Sequence, residues 1–578
     1  MISGFTQGSA GYCYLSIFLP KSTPSAWVLC FPPFAEEQNK SRKMMSAQAR
    51  DFTSAGFAVV IPDLFGTGDS TGDFADASWD IWRQDMLLLL QWIRKQGGEQ
   101  IHFWGIRLGA LLALDVHRHS DQSVASFLFW QPICNGKQAS TQFLRLRMAA
   151  GLMEGGKQNV SDLRDQLLQD KSLEVAGYEV TPQLISSIDE LSTLILVPAS
   201  GSVVHWLEVS TNIDKPLPMQ ARKSIDLWLE TGIEVHPMRV EGDAFWAAQD
   251  IVVASDLINC STRLLADDID APFSQNPSPD VDQLEFCVLP ELPITFTCKG
   301  SSLPGIVHYG GTRKSRGVVL VVGGPQYRVG SHRQFVLLAR ALSAQGIPVF
   351  RFDYRGMGDG EGPMNGFEEI EYDIRAAIDA FQERCPELKE VVIWGLCDAA
   401  TAATFYAQGD PRVQGLVLLN PWVRSEVGEA KAYIRHYYLK RLLSRDFWRK
   451  IADGEFDLGS STRSFVDLLL KTIGMRSDGH SKGGLEDAAG TVPPDLSLVE
   501  RVERSLLGFR GEVLLILSEN DLTAKEFMTA LRTSPRLKKL FRKKRYTTKT
   551  IANSDHTFSR RVWRDQVAQE TASWLTSW

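Results

Sequence analysis

The sequence contains an internal repeat, and this repeat limits the folds that the chain can adopt. An apolar run followed by Cys397 and small residues has a second copy in which Arg107 takes the place of the cysteine. The same interval of 44 residues separates Asp63 from Arg107 and Asp353 from Cys397. Because each copy alternates apolar strands with amphipathic helices, the repeat predicts two α/β domains, each with a mostly parallel sheet covered by helices on both faces.

The length of the chain also favours two domains. It has 578 residues, whereas single domains usually stop growing at roughly 250 to 300 residues. A polar, proline-containing stretch predicts a linker at 266–282, between a first domain at 1–265 and a second domain at 283–578. Within the second domain, a segment at about 425–507 is too long for a simple crossover and predicts a helical cap over the sheet. The alternative is a helical insertion that contacts no substrate.

The composition is typical of a soluble globular protein, with 44% hydrophobic and 23% charged residues. A net charge of −7 gives no reason to expect a nucleic-acid partner. No apolar run approaches the roughly 18 residues that predict a membrane span, and the N-terminus has no features of a signal peptide. The eight cysteines are scattered without paired spacing, so we expect a reduced, cytoplasmic protein with no metal site and no cofactor.

The Cys397 turn predicts a nucleophile elbow, in which a sharp strand-to-helix turn presents a reactive side chain. A thiol nucleophile needs a base, and the base needs an acid that fixes its orientation. Asp521 and His556 each follow a later apolar strand, in the order used by α/β-hydrolases. We therefore predict a catalytic triad of Cys397, Asp521 and His556, with Glu519 as a weaker candidate for the acid. The alternative is that Cys397 is a small buried hydrophobic residue.

Attack on a carbonyl group also needs N–H donors for the oxyanion. The first predicted donor is the backbone N–H of Asp398, at the start of the helix. The second is expected from the turn after the first core strand, where Pro325 has no N–H and leaves Gln326, or Gly324 if the turn is tight. The Asp398 carboxylate would disfavour a thiolate beside it unless it turns away. The alternative for this side chain is a charge at a helix N-terminus.

Three motifs of the second half resemble those of the type 1 exosortase A system-associated hydrolases, which are α/β-hydrolases; they lie at 323–335, 352–359 and 394–400. The first half resembles the type 2 hydrolases of the same system through motifs at 31–34, 63–70, 205–209 and 242–246. The resemblance covers nearly the whole chain and implies a fusion of two tandem α/β-hydrolase domains. Within these motifs, Tyr327, Arg328 and Arg355 are the predicted substrate-binding residues.

The Cys-Asp-His arrangement is similar to that of dienelactone hydrolases and polyester synthases, which hydrolyse a lactone or transfer acyl groups from thioesters. The chain departs from the polyester synthases at Ala399, where they have glycine. The resemblance implies a thioesterase, esterase or acyltransferase that forms a thioester acyl-enzyme.

We predict an acyl substrate carried on coenzyme A or an acyl carrier protein. The basic run at 538–545 is either a surface for such an acidic partner or a solvated helix face. A different class of function stays open, namely a non-catalytic binding or assembly protein built from two hydrolase-like domains.

The first copy of the site is predicted to be non-catalytic. Arg107 cannot be deprotonated to act as a nucleophile, and Asp243 stands where the second copy has His556. These two opposite charges predict an ion pair between Arg107 and Asp243 across the former active site. Alternatively, Arg107 at a helix N-terminus binds a carboxylate of a substrate or partner.

Overall fold

The structure is a computed structural model that describes residues 1–153, 159–268, 286–311, 315–423 and 496–578. Most of the predicted linker and most of the predicted cap lie outside the described residues. The domain boundaries and the cap therefore stay predictions. The two sheets described below locate the core of each domain.

Eight strands form the sheet of the first domain, and a separate hairpin is formed by β7 (Leu173–Val175) and β8 (Tyr178–Val180). The sheet strands are β1 (Ile2–Gln7), β2 (Tyr12–Phe18), β3 (Ala26–Phe31), β4 (Phe57–Pro62), β5 (Ile101–Ile106), β6 (Phe127–Trp130), β9 (Val203–Ser210) and β10 (Glu234–Glu241). Their order in the sheet is β1-β2-β4-β3-β5-β6-β9-β10. β1 pairs antiparallel with β2 and β2 with β4, whereas all the other pairs are parallel.

The sheet of the second domain repeats this arrangement. Its strands are β11 (Glu291–Cys298), β12 (Ser301–His308), β13 (Arg316–Val321), β14 (Val349–Phe352), β15 (Glu390–Leu396), β16 (Val413–Leu419), β17 (Glu512–Ser518) and β18 (Tyr546–Ile551). Their order is β11-β12-β14-β13-β15-β16-β17-β18, again with antiparallel pairs only at the β11 edge. The fold confirms the prediction of two tandem α/β-hydrolase domains.

Helices accompany the strands of both sheets. Those of the first domain are α1 (Glu36–Ser54), α2 (Trp79–Lys95), α3 (Gly109–Arg118), α4 (Gly136–Met153), α5 (Val160–Leu168), α6 (Pro182–Asp189), α7 (Met219–Glu230) and α8 (Ser255–Asp267). Those of the second are α9 (Gln334–Ser343), α10 (Glu371–Arg384), α11 (Asp398–Ala407), α12 (Leu498–Gly508), α13 (Leu522–Thr533), α14 (Pro535–Leu540) and α15 (Arg561–Leu575). None of the helices in the described part of the chain is long and apolar enough to cross a membrane.

The central strands are buried along nearly their whole length, which explains their continuous apolar sequences. All six residues of β5 are buried, and so are six of the seven residues of β15. A strand with helices on both faces has no solvent-facing side, so period-two alternation is absent. At the edge of the second sheet, β18 is buried only at Tyr546 and Ile551, with more polar residues between them.

Three arginines and four aspartates form a buried ion cluster between the two domains. We call it the interdomain ion cluster, and it consists of Arg42, Asp63 and Asp69 from the first domain and Arg328, Arg351, Asp353 and Asp359 from the second. All seven side chains are 0% exposed. The aspartates lie at matching places in the repeat, at the two ends of the glycine-rich turn that follows β4 or β14.

Two of the arginines connect the domains directly. Arg42 binds Asp63 of its own domain at 3.0 Å and Asp359 of the other domain at 2.7 Å. Arg328 binds Asp69 across the interface at 2.9 Å and Asp359 within its own domain at 2.9 Å. Burial opposes the charge of Asp359, but Arg42 and Arg328 outweigh this effect and hold the pKa of that carboxyl far below its usual range.

Replacing Arg328 by Met tests whether the interdomain ion cluster holds the domains together. Removing one partner from a buried ion pair leaves uncompensated charge and costs about 3–5 kcal/mol. We therefore expect R328M to unfold at a clearly lower urea concentration than the wild type, as followed by tryptophan fluorescence.

An exposed pair across the same interface provides a matched control. Arg561 binds Glu179 at 3.3 Å, but its side chain is 59% exposed. Arg561→Ala should therefore change the free energy of unfolding by no more than about 1 kcal/mol. Similar losses for R328M and R561A would contradict the importance of the buried cluster.

Candidate active site

Cys397 lies at a strained turn between β15 and α11. Its backbone has φ 61° and ψ −123°, a conformation that costs a residue other than glycine on the order of 1–3 kcal/mol. The turn is held in place because the Cys397 N–H donates to the Leu419 carbonyl at 2.9 Å and its carbonyl accepts from the Trp422 N–H at 3.2 Å. Gly395 allows the close approach of strand and helix, since a Cβ atom there would lie 2.7 Å from the Ala399 carbonyl carbon. The geometry is that of a nucleophile elbow.

His556 and Asp521 lie beside this turn, as the sequence predicted. The His556 Nδ1 is 3.0 Å from the Asp521 Oδ2, and the ring also hydrogen-bonds to the Cys397 side chain. Asp521 is the N-cap of α13 and accepts from the Ala524 N–H at 2.9 Å. The alternative acid, Glu519, instead accepts from the Asn553 N–H at 2.8 Å. The structure thus brings Cys397, His556 and Asp521 together and leaves Glu519 out.

Hydrogen bonds favour the charged form of the His556 ring. Burial lowers the pKa of this group, but the hydrogen bonds to Asp521 and Cys397 and their charges outweigh burial and raise the pKa to about 10. For Asp521, burial opposes the charge, yet the hydrogen bond from His556 lowers the pKa of the carboxyl overall. At neutral pH the ring therefore carries a proton between a carboxylate and a sulfur atom.

Asn420 forms hydrogen bonds to the ends of two loops of the site, at Ser518 and at His556. This role was not predicted from the sequence. The Asn420 side-chain amide donates to the His556 carbonyl at 2.9 Å and to the Ser518 hydroxyl at 3.0 Å, and its oxygen accepts from the Ser518 N–H at 2.8 Å. It follows β16 directly and has a positive φ of 41°. An asparagine followed by proline at the end of an apolar strand is a signal that could have identified it.

Two of the predicted oxyanion donors, the N–H groups of Gly324 and Asp398, form hydrogen bonds to the Asp398 side chain. The Gly324 N–H donates to the Asp398 side chain at 3.1 and 3.2 Å, and the Ala399 N–H does so at 2.9 Å. The backbone N–H of Asp398 also contacts its own carboxylate. Burial is the largest effect on this carboxyl group and raises its pKa. The Asp398 side chain therefore turns away from the sulfur, onto the N–H groups.

Gln326, the other predicted donor, is engaged within its turn. Its N–H donates to the Gly324 carbonyl at 2.9 Å, and its side chain exchanges hydrogen bonds with Ser331. In this arrangement it offers no N–H to a substrate. The role of the three predicted oxyanion residues stays a prediction.

The three predicted substrate-binding residues have structural partners instead. Arg328 is a member of the interdomain ion cluster. Tyr327 is 1% exposed and packs with Val329 and Val336. Arg355 forms a bidentate pair with Asp373, at 2.9 and 2.8 Å. These contacts are internal to the protein, and a role for the three residues in substrate binding stays a prediction.

The predicted pair between Arg107 and Asp243 in the first domain is wrong. Arg107 binds Glu37 at 3.1 Å and lies over the Trp246 ring, with 4.9 Å between the guanidinium carbon and the ring centroid. Asp243 is exposed, because the burial of Phe245 orients the turn so that Trp246 is next to Arg107. Arg107 still has a positive φ of 55°, so the first domain keeps the backbone of an elbow without a nucleophile.

The basic run at 538–545 is mostly solvent-exposed. Lys538 and Lys539 lie on α14, and Lys543 and Lys544 precede β18. The exposure agrees with the solvated helix face considered above, and a role for this run in binding a carrier protein stays a prediction.

Family models match one region in each half of the chain. Residues 313–468 match the family described as serine aminopeptidase, S33, and residues 14–141 match the X-Pro dipeptidyl-peptidase (S15) family. No curated protein sequence matches the chain. The elbow position within the serine aminopeptidase match holds Cys397. The finer assignment to the two exosortase-associated types stays a prediction.

Similar solved structures align with about half of the chain. An esterase from Pyrococcus furiosus has 15% identity over 50% of this chain and 90% of its own, with a TM-score of 0.32. A putative alpha/beta hydrolase from Agrobacterium tumefaciens has 14% identity over 49% and 94%, with a TM-score of 0.30. A serine hydrolase without a lid from Xanthomonas campestris has 14% identity over 50% and 96%, with a TM-score of 0.30.

The charge on His556 predicts an alkylation profile for Cys397. The pKa of the ring is raised above the ordinary 6.5, so the ion pair with Asp521 contributes stability that is complete below pH 6.5 and is lost as the pH rises through about 10. The ring hydrogen-bonds to the Cys397 side chain, which places a proton-transfer group beside the nucleophile. We expect iodoacetamide to alkylate Cys397 in the wild type, and His556→Gln to slow the reaction by at least about tenfold.

Cys260 serves as an internal control for this experiment, because it is also partly exposed but lies in the first domain. Its alkylation rate, followed by peptide mass spectrometry in the same samples, should be the same in the wild type and in H556Q. An unchanged rate at Cys397 in H556Q would show that the imidazole does not activate the thiol.

Proposed function

We propose that the second domain, which has an α/β-hydrolase fold, is a cysteine-dependent acyl-transfer enzyme. One observation carries this proposal: Cys397 occupies a strained elbow and hydrogen-bonds to a histidine that is fixed by Asp521. A nucleophile, a base and an orienting acid in one hydrogen-bonded chain are the parts that covalent acyl transfer needs.

The reaction would proceed in two half-reactions. The proton of the thiol resides on His556, and the Cys397 sulfur attacks the carbonyl carbon of the substrate. The tetrahedral intermediate then expels a thiol or an alcohol, which takes the proton from His556 and leaves an acyl thioester on Cys397. The neutral imidazole next removes a proton from water or from an alcohol or amine acceptor, which attacks the thioester and restores the thiol.

A thioester is the substrate class that fits a thiol nucleophile best. Exchange between two thioesters is nearly balanced in free energy, so the acyl-enzyme retains the activation of its donor. An acceptor other than water can then receive the acyl group. We therefore propose acyl groups on coenzyme A or on a carrier protein as donors, with hydrolysis as the reaction in the absence of an acceptor.

The Asp398 carboxylate gives the proposed enzyme a resting state. It occupies N–H groups that a substrate oxyanion would need, and a carbonyl oxygen can bind there only after the carboxylate moves. The displaced carboxylate has an exit towards solvent, because Asp398 and Cys397 are only partly buried. Binding of the substrate carbonyl would thus compete with this side chain.

Acylation of Cys397 is the direct test of the proposed reaction. Incubation of the protein with octanoyl-coenzyme A should add one octanoyl group to the peptide that contains Cys397, as detected by mass spectrometry. Cys397→Ala should abolish the adduct, and H556Q should slow its formation by on the order of 10²–10⁴ because the general acid–base group is lost. Adding hydroxylamine or an alcohol should divert the product from free acid to the acyl acceptor.

The alternative, a non-catalytic binding or assembly protein, makes the opposite forecast. It is supported if neither a thioester, an ester nor a lactone gives an adduct while Cys397→Ala keeps full biological activity. Cys385 is a buried free thiol, so Cys385→Ala is a matched control that should leave the adduct on Cys397 unchanged.

Replacing Asp398 by Asn tests the proposed resting state. The amide keeps the size of the side chain but removes the negative charge from the N–H groups. Because oxyanion donors each contribute on the order of 10²–10³ to the rate, we expect D398N to acylate at least about tenfold faster. Loss of a negative charge from the first turn of α11 should change the free energy of unfolding by no more than about 1 kcal/mol.

Asp565 is an exposed aspartate on α15, with 59% of its side chain accessible, and Asp565→Asn provides the control for charge alone. It should leave the acylation rate unchanged. Slower acylation in D398N, at an unchanged rate in D565N, would mean that the Asp398 carboxylate assists catalysis.

A further inference from the structure

The first domain contains an apolar cavity of about 210 Å³ above its defective elbow. The apolar part of its wall comes from the turn after β3, the elbow, the loop after β6 and the helices α4 and α6, and consists of Phe34, Leu108, Ile133, Phe143, Ile185 and Ile188. Drug-sized ligands occupy pockets of roughly 300–1,000 Å³. The cavity is therefore suited to one short apolar chain.

Two residues of the cavity wall, Phe34 and Leu108, have backbone N–H groups that donate no hydrogen bond within the part of the chain that the structure describes. Leu108 is only 4% exposed, and Phe34 is half-buried. A buried N–H without an acceptor is costly, so an occupant with an acceptor oxygen beside Leu108 would be stabilised.

The second domain shows which chemical group suits these two positions. The strand pairing places Phe31 opposite Gly105 in the first sheet and Val321 opposite Gly395 in the second. Three residues after these positions, Phe34 corresponds to Gly324 and Leu108 corresponds to Asp398. In the second domain these two N–H groups contact the oxygen atoms of the Asp398 carboxylate. Leu108 provides no such oxygen, so in the first domain the donors stay open.

The charges around the cavity favour a neutral ligand. The one cation in its wall, Arg107, is already paired with Glu37 at 3.1 Å. The second acid, Glu36, accepts from the Tyr178 hydroxyl at 3.0 Å and from the His332 N–H at 3.2 Å. A free carboxylate would meet two acidic side chains and only one cation. A carbonyl group attached to an apolar chain would carry no such penalty.

We propose that the first domain is a second acyl-binding site, which holds a short uncharged acyl group without cleaving it. The carbonyl oxygen accepts from the N–H groups of Phe34 and Leu108, and the chain lies in the apolar cavity. The group is an ester, thioester or amide. Because Arg107 occupies the nucleophile position and cannot attack, the bound group stays intact.

Photo-crosslinking of the full-length chain tests this site independently of the proposed reaction. The probe is the N-methylamide of an octanoic acid that carries a diazirine on its chain, and the protein is Cys397→Ala, which cannot form an acyl-enzyme. We expect saturable labelling of the segments 133–146 and 185–188, mapped by mass spectrometry. Because the crosslink does not need Cys397, a failure of the acylation experiment leaves this result untouched.

A pair of matched variants tests whether the labelled site is this cavity. Ala139 lines it, whereas Ala199 is exposed in a turn away from it. Ala139→Phe should fill the cavity and reduce labelling of the first domain by at least about tenfold, and Ala199→Phe should leave it unchanged. Free octanoate should compete at least about tenfold more weakly than unlabelled N-methyloctanamide.

Three outcomes would overturn the proposal. The first is labelling that is confined to the second domain. The second is labelling of the first domain that persists in A139F while the variant is folded, as judged by its thermal unfolding. The third is competition by octanoate that equals or exceeds competition by the amide, which would assign the cavity to a carboxylate.

Discussion

The buried ion cluster between the domains is the interaction on which the rest of the structure depends. Seven charged side chains without exposure are stable only while each retains its opposite partners, because a buried charge without compensation is far more costly than the pair. Separation of the domains would break the contacts of Arg42 to Asp359 and of Arg328 to Asp69. The two hydrolase domains therefore behave as one folded unit, in contrast to domains joined only by a linker.

Other contacts between the domains fix a loop that leads to the candidate active site. Arg333 has a left-handed backbone, with φ 62°, and donates to the carbonyls of Gly66, Gly68 and Gly72 in the first domain. The neighbouring His332 is strained as well, with φ 41°, and its N–H donates to Glu36 of α1. Such strain persists only where surrounding contacts impose it. Here the contacts come from the other domain.

His332 also contacts the loop that carries His556. The His332 Nε2 lies 3.2 Å from the Thr557 carbonyl, one residue after His556. The first domain thus supports the loop that carries the histidine of the second. This gives the copy with Arg107 at the elbow a structural role, apart from any ligand in its cavity.

The sequence was sufficient for the fold and for the placement of Cys397, Asp521 and His556, but not for their surroundings. Apolar strands, glycine turns and the elbow are local patterns, and the ends of parallel strands meet at one edge of a sheet, so Cys397, Asp521 and His556 could be placed together. The partner of Arg107 could not be predicted, because Glu37 lies on α1 and no local pattern shows how that helix packs against the elbow. The ion pairs of Arg328 could not be predicted either, because they depend on how the domains pack, which no local pattern encodes.

The two elbows finally differ in what occupies their N–H groups, and this difference follows from one position of the repeat. With Asp398 after the elbow, the second domain supplies its own carboxylate, whose charge is opposed by burial more than it is favoured by the N–H groups and His556. With Leu108 at the same position, the first domain has an apolar side chain and open donors. A group that is easily displaced suits a site where substrates must enter and products must leave. An open, apolar and chemically inert site suits a ligand that stays bound.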